Sequence, residues 1–331
     1  MNWLIVPDPV QACCETLWAA GFQAYPVGGC VRDLLLDTSP EDWDVAVSAP
    51  PDRISSLFRR TVPTGIRHGT VTVLQGGMSI EVTSFRGEQA YTDGRHPDTV
   101  IFGVSLRQDL SRRDFTINAM ALRRDGGIED PFGGQQDLAA RLIRCVGDPD
   151  RRFREDALRM LRALRFAARL GFTLEESTAA ALRRNAAGLD RVSGERIKAE
   201  LEKILLSSRP ELSALPVELG MLTRYGAAAQ FPSLSGLTDV DATPEARWRA
   251  FCLATGLDIT RLPVERRIRR AVLRQDAPEP VLSGRELYEL GLRGGEIGAA
   301  RRRLSAHITR FPEDNNRERL LELLKTAPGK T

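Results

Sequence analysis

Strand-forming sequence is confined to the first third of the chain, and this asymmetry decides most of what the polypeptide can become. VAV at 45–47, TVTVLQ at 70–75, SIEVTSF at 79–85 and VIFGVSL at 100–106 are rich in β-branched residues and bounded by Gly, Pro or Asp, as strands are. Helices are expected at about 1–20, 30–36, 51–60 and 114–121. After Pro131-Phe132-Gly133-Gly134 apolar residues recur at helical spacing: Phe153, Leu158, Leu161, Leu164, Phe166 and Ala168, then Ile197, Leu201 and Ile204. The remainder reads as helical with Pro/Gly breaks near 210–216, 232–244 and 276–284. The expected class is α+β, a mixed-sheet head followed by an all-helical arm. At roughly 100 to 200 residues per domain, the 331 residues fill about two domains. No window approaches the ~20 consecutive apolar residues of a membrane span, and the N-terminus lacks a basic stretch ahead of an apolar core. A cytoplasmic chain with no membrane partner is expected. Five cysteines without a CxxC pair suggest reduced core thiols rather than a disulfide framework or a zinc knuckle.

Charge is divided along the chain. Residues 1–110 hold 8 Arg against 13 Asp and Glu, a balance of −5, whereas residues 111–331 carry +8, almost all of it arginine. Arginine offers phosphates and base edges a planar fork where lysine offers a point charge, although GC-rich coding produces the same bias. Arg266-Arg267 with Arg269-Arg270, and Arg301-Arg302-Arg303, fit tracking of RNA phosphates and solvated helix faces equally well.

The head concentrates its chemistry in carboxylates. Asp42 and Asp44 open an apolar run; on a strand, side chains two apart share a face about 7 Å apart at Cα, close enough to serve one magnesium centre. Glu81, between Ile80 and Val82, is the candidate third acid. Three acids on neighbouring strands suit phosphoryl transfer by cations ~3.5 to 4 Å apart. A DxD in isolation is equally at home on a solvated surface. Upstream, Gly28-Gly29-Cys30-Val31-Arg32-Asp33 puts two glycines at a turn into a helix, where backbone N–H groups can approach a triphosphate. The spacing matches neither GxxxxGK[ST] nor GxGxxG.

GGCVRDLLL followed by DWDVAV resembles the signature of class II tRNA nucleotidyltransferases and bacterial poly(A) polymerases, members of the polymerase-β-like nucleotidyltransferase superfamily. The resemblance continues through RRDFTINAM at 112–120, DPFGG at 130–134 and RFREDALRMLRALRFAARLGF at 152–172, and fades after SGERIKAELEKIL at 193–205. It implies a nucleotidyltransferase head (1–143), a helical neck bearing a base-selecting helix (144–205) and a helical, tRNA-binding body with a short tail (206–331). It further implies that Gly28, Gly29, Arg32 and Arg113 hold the nucleotide, that Asp42 and Asp44 bind Mg²⁺, and that the neck contributes Asp156, Arg159, Arg162 and Arg165. Trp43 departs from the small aliphatic residue often found between the two acids.

The neck residues carry an argument of their own. Asp156 and Arg159 are i and i+3, neighbours on a helix. A carboxylate accepts from the exocyclic amino group of C or A while a guanidinium donates to ring acceptors, and uracil presents the wrong edge. Arg162 and Arg165 point elsewhere on such a helix, towards the sugar-phosphate or the RNA primer. Between Glu81 and RRDFT lies a polar loop containing Gly87 and Gly94; the resemblance makes it the segment used when the family switches from CTP to ATP, and its full length favours A-adding or complete CCA-adding activity. Of three histidines, His68, His96 and His307, His68 reads as a local hydrogen-bonding residue, and no His/His-Asp phosphohydrolase centre is expected. The expected function is template-independent addition of CCA, or its terminal A, to tRNA from CTP and ATP. The rivals are a poly(A) polymerase acting on general RNA ends and a catalytically silent RNA-binding protein. Oligomeric state leaves no signal.

Overall fold

The computed structural model describes residues 3–66, 69–89, 99–228, 230–274, 280–311 and 314–325. The chain forms two compact units, Met1–Glu265 and Arg266–Thr331.

In the first unit the order is α1 (Asp8–Ala19), β1 (Ala24–Pro26), α2 (Gly29–Leu35), β2 (Trp43–Val47), α3 (Pro51–Leu57), β3 (Thr61–Gly65), β4 (Thr70–Gln75) and β5 (Met78–Ser84). The strands form one mixed sheet, β1-β2-β5-β4-β3, in which β2 and β5 run parallel and the other pairs antiparallel. Its two faces follow from alternation along each strand. Trp43, Val45 and Val47 of β2, Ile80 and Val82 of β5, and Val71 and Val73 of β4 are in register and buried together with Val10, Leu17, Val31 and Ile54 of α1, α2 and α3. The opposite face carries Asp44, Glu81 and Thr72 side by side, then Thr83 and Thr70 joined by a 3.0 Å hydroxyl contact. The sheet is therefore apolar where helices cover it and polar where the acids stand.

Beyond the sheet come the hairpin β6 (Arg86–Gln89) and β7 (Thr99–Phe102), α4 (Leu106–Ser111), the short pair β8 (Ala121–Leu122) and β9 (Ile128–Glu129), and α5 (Gly134–Ala139). β10 (Leu142–Ile143), α6 (Pro149–Glu155), α7 (Leu158–Leu170), β11 (Thr173–Leu174), α8 (Glu176–Asn185), α9 (Gly194–Leu205), α10 (Ala214–Glu218) and α11 (Pro244–Thr255) complete the unit. α6 packs on α8 and α7 on α9.

Three local expectations change. The helix expected at 114–121 is a short 3₁₀ turn, Thr116–Asn118, running into β8. Phe115, Ile117, Ala119 and Met120 are all buried, leaving no solvated helix face, and backbone partners come from afar: Thr116 N–H donates to Arg144 O and Val146 N–H to Asp114 O. The strand expected to 106 stops at Phe102 because Gly103 takes φ +78° and Ser105 caps α4 with a full capping box. Strand β1 lies where a simple lead-in to the glycines was expected.

The second unit contains α12 (Arg266–Leu273), α13 (Gly284–Glu289), α14 (Gly295–Arg310) and α15 (Arg317–Lys325). Leu282, Leu287, Ala300, Leu304, Ile308 and Leu320 form its core. Arg266, Arg267, Arg269 and Arg270 are exposed around buried Ile268, and His307 contacts Asp314 at 2.5 Å. Among the described residues no helix is long and apolar enough to cross a membrane. His68, His96 and most of the polar loop after Glu81 lie outside the described residues.

Candidate active site

A cleft of about 490 Å³ opens within the first unit, lined by the Gly28–Gly29 turn, Arg32, Asp42, Asp44, Arg113, Asp156, Arg159, Arg162 and Arg165. Ten of the eleven residues singled out in the sequence thus meet at a single place, which has the volume of an ordinary small-molecule site.

The turn demands glycine. Gly28 has φ +78°, and a Cβ there would come within 2.8 Å of an Arg113 Nη1. Removing the side chain lets a guanidinium lie against the backbone at the start of α2. Asp42 sits at the bend before β2 and Asp44 is its second residue. Neither carboxylate makes a hydrogen bond or ion pair among the described residues. Burial pushes the Asp44 carboxyl up to about 6, with Arg113 pulling it down and Glu81 and Asp42 adding to the rise. Among the described residues, Arg113 in turn keeps a buried Nε without a hydrogen-bond partner. Uncompensated acids and an unsatisfied guanidinium donor in one cleft suit a ligand carrying both a cation and an anion.

Glu81 is the exception among the expected residues. Ile80 and Val82 are buried, but Glu81 is exposed and does not line the cleft. β5 buries one face only, so the flanking apolar residues report the covered side and not the acid's own. It stands beside Asp44 in the β2–β5 register. Among the described residues no group of three or more His, Cys, Asp or Glu side chains is placed to hold a metal ion. Two acids suffice for a divalent cation that takes its other ligands from substrate phosphates and water, the usual habit of Mg²⁺; a divalent metal is general in the family described below.

The neck differs from expectation in one respect. Asp156 is not inside a helix: it ends α6 in an extended conformation (φ −147°, ψ 103°), and its carboxylate accepts from Leu158 N–H at 3.1 Å. Such a side-chain-to-backbone bond competes with helix continuation, so α7 starts afresh at Leu158. Asp156 accepts from both terminal nitrogens of Arg196 at 3.2 and 2.8 Å, while Arg159 donates to Glu155 at 2.9 Å and to Arg112 O at 3.0 Å. Both still face the cleft. Arg162 and Arg165 line the same cleft.

These arginines are held by acids that sequence reasoning passed over. Asp114 takes two bonds from Arg162 at 2.8 and 2.5 Å and one from Asn118 at 3.1 Å. Burial alone would raise its carboxyl; Arg162 and Asn118 more than offset that and hold it well below the usual range. Glu200 pairs with Arg165 at 2.7 Å. Arg32, 4% exposed, donates to Asn118 at 2.8 Å and to Asp33. The guanidinium groups of Arg32, Arg162 and Arg165 all lie over the Phe166 ring, at 5.1, 5.5 and 4.2 Å from its centroid. Asp114 and Arg196 stood in the quoted motifs RRDFT and SGERIK; that they are partners of neck residues was not readable from spacing.

Two family profiles match parts of the chain. A family profile described as "Poly A polymerase head domain" matches residues 24–144, and a second, "Probable RNA and SrmB- binding site of polymerase A", matches 171–235. The chain is 46% identical over 262 residues to the CCA-adding enzyme of Limosilactobacillus fermentum, covering 77% of this chain and 65% of the relative. It is 53% identical over 196 residues to that of Leuconostoc citreum, covering 59% and 49%. The chain thus spans between about half and two thirds of the length of these curated relatives. The crystal structure of the Bacillus stearothermophilus CCA-adding enzyme in complex with CTP superposes with a TM-score of 0.64 at 28% identity, covering 98% of this chain and 99% of that one. From the glycine turn, the acid pair and the arginine-lined cleft to these matches, the chain carries a region matching the poly(A) polymerase head domain at 24–144 and is similar to CCA-adding enzymes over most of its length.

Proposed function

We propose that the protein adds nucleotides, without a nucleic-acid template, to the 3′ end of tRNA, taking CTP and ATP, releasing pyrophosphate and completing or repairing CCA. The observation that carries this reading is the cleft that Asp42, Asp44, the Gly28–Gly29 turn, Arg32, Arg113 and Asp156 line together. The named activity of similar proteins, CCA-adding enzymes, supports the same substrate class. In this reading the head (1–143) performs the transfer, the neck (144–205) selects the base, the body (206–331) binds tRNA, and the protein works in the cytoplasm.

Asp42 and Asp44 would hold Mg²⁺, which when bound would supply charge neutralisation for the triphosphate and a more acidic primer hydroxyl. Gly28 and Gly29 admit the phosphates to the backbone, and Arg32 and Arg113 orient them by fixed positive charge. Glu81 is assigned to the proton of the primer 3′-hydroxyl. Asp156 and Arg159 read the base: the acid accepts the amino group of cytosine or adenine and the guanidinium donates to its ring acceptors. Arg162 and Arg165 serve the sugar-phosphate side or the primer. No covalent intermediate is needed; positioning and electrostatics account for the catalysis.

The test is to incubate purified protein with CTP and ATP together on a tRNA ending at the discriminator base, a tRNA ending in CC and an unrelated RNA, and to sequence the products. Ends reading CCA support the proposal, as do ends extended by A alone on tRNA already carrying CC. Runs of A on unrelated RNA ends favour a poly(A) polymerase, the reading suggested by the head profile's description. RNA binding without any addition favours the silent binding protein.

A further inference from the structure

Asp109 was singled out neither by motif nor by spacing, yet it is fully buried beside the cleft without lining it. Its Oδ1 accepts from Arg112 Nε and Nη2 at 3.2 and 2.9 Å, and its Oδ2 from Arg113 Nη2 at 3.3 Å. The same Oδ1 accepts from the backbone N–H of Arg86 at 3.3 Å. Arg86 is the first residue of β6, so one carboxylate ties the root of the β6–β7 hairpin to two consecutive arginines. A charge buried at this depth persists only when paired. Here the pairing uses one face of Arg113 and leaves its other terminal nitrogen against Gly28. From the neck side, Arg159 and Arg152 donate to the carbonyls of Arg112 and Ser111, fixing the same segment from the opposite direction.

We propose that Asp109 is the positioning residue for Arg113: it sets the angle at which that guanidinium meets the triphosphate and links it mechanically to the β6–β7 hairpin. The idea rests on the nucleotide-binding reading given above. An acid that neutralised Arg112 and Arg113 merely to stabilise the fold would be replaceable without a selective effect on nucleotide binding. An acid that aims Arg113 would not. A carboxamide at the same position keeps the volume and loses the charge-assisted bonds to both guanidinium groups.

The experiment compares wild type, Asp109→Asn, Asp109→Glu, Arg113→Ala and the Asp109→Asn/Arg113→Ala double variant. It measures CTP dissociation constants by calorimetry, KM and kcat for CTP, and tRNA affinity by gel shift. Asp109→Asn is expected to weaken CTP binding and raise KM by about five- to twentyfold while tRNA affinity stays at the wild-type value. Asp109→Glu should recover part of the loss. On the Arg113→Ala background Asp109→Asn should add less than about twofold, because residues acting as a unit are not additive. Wild-type CTP binding in Asp109→Asn, or losses that multiply in the double variant, would overturn the proposal. If Asp109→Asn does not fold, the decision passes to Asp109→Glu, which retains the charge but displaces it: unchanged CTP affinity there refutes the role. Failure of the wild-type protein itself to bind CTP would instead remove the functional reading on which the inference stands.

Discussion

Replacing Asp114 tests whether the segment leading into β8 and helix α7 are joined through ionic contacts or only through apolar packing. Its carboxylate is almost completely enclosed and accepts from Arg162 twice, from Asn118 and from the Phe115 N–H at 2.8 Å. Stranding one member of a buried ion pair costs roughly 3 to 5 kcal/mol. The Arg162 side chain is 33% exposed, so it recovers some hydration and Asp114→Ala belongs near the lower end, about 3 kcal/mol. Asp114→Asn keeps the oxygen that Asn118 and Phe115 donate to but turns an amide nitrogen towards Arg162, losing both bonds from that guanidinium with the charge, about 2 to 3 kcal/mol. The assay is urea unfolding at pH 7, comparing midpoints at unchanged m-value. The pH dependence supplies an independent check. The folded-state pKa is depressed, so the stabilisation is complete above the unfolded value near 4 and disappears as pH falls below it towards the folded value. The gap between wild type and Asp114→Asn should accordingly be full at pH 6 to 7 and shrink steadily below about pH 4. Variants within about 0.5 kcal/mol of wild type at neutral pH, or a gap that widens in acid, would refute the reasoning.

Three further outcomes are expected. Asp156→Ala should relax base choice, raising UTP incorporation relative to CTP by about five- to hundredfold, the value of one lost bidentate discrimination; competition with mixed nucleotides reads it out, and an unchanged ratio opposes the base-reading role. Asp42→Ala with Asp44→Ala, or chelation of divalent cations, should abolish nucleotide addition while tRNA binding in a gel shift survives, and normal addition by the double variant would defeat the metal assignment. Gly28→Ala meets Arg113 at 2.8 Å with φ +78° and should cost about 1 to 2 kcal/mol of stability, raising the KM for both nucleotides together; a rise for one alone would contradict it.

Motif residues were legible in the sequence because their chemistry restricts residue type. A turn that admits phosphate needs glycine, a cation site needs acids, and β4 at 70–75 matched the expected boundaries because its alternation is set by one covered face. The partners that hold those residues were not legible. Asn118, Arg196 and Glu200 act across sequence separations that no local pattern reports, up to 86 residues for Arg32 to Asn118, whereas Asp109 pairs with Arg112 and Arg113 at local i,i+3 and i,i+4 spacing. Asp156 shows a second limit: its helical periodicity is good, but a side chain that bonds to Leu158 N–H ends the helix where spacing alone continues it. Glu81 shows a third, since apolar neighbours on a one-sided sheet leave the acid on the open side.

Phe166 makes the cationic wall of the cleft possible. Three like charges drawn together in a protein interior repel one another, and each of these already has a carboxylate partner: Asp33 for Arg32, Asp114 for Arg162 and Glu200 for Arg165. A benzene ring adds an electron-rich face that all three share, easing their crowding without a further charge. A leucine there would fill similar space but remove that common surface, so the alignment of the guanidinium groups along the cleft wall depends on one uncharged side chain.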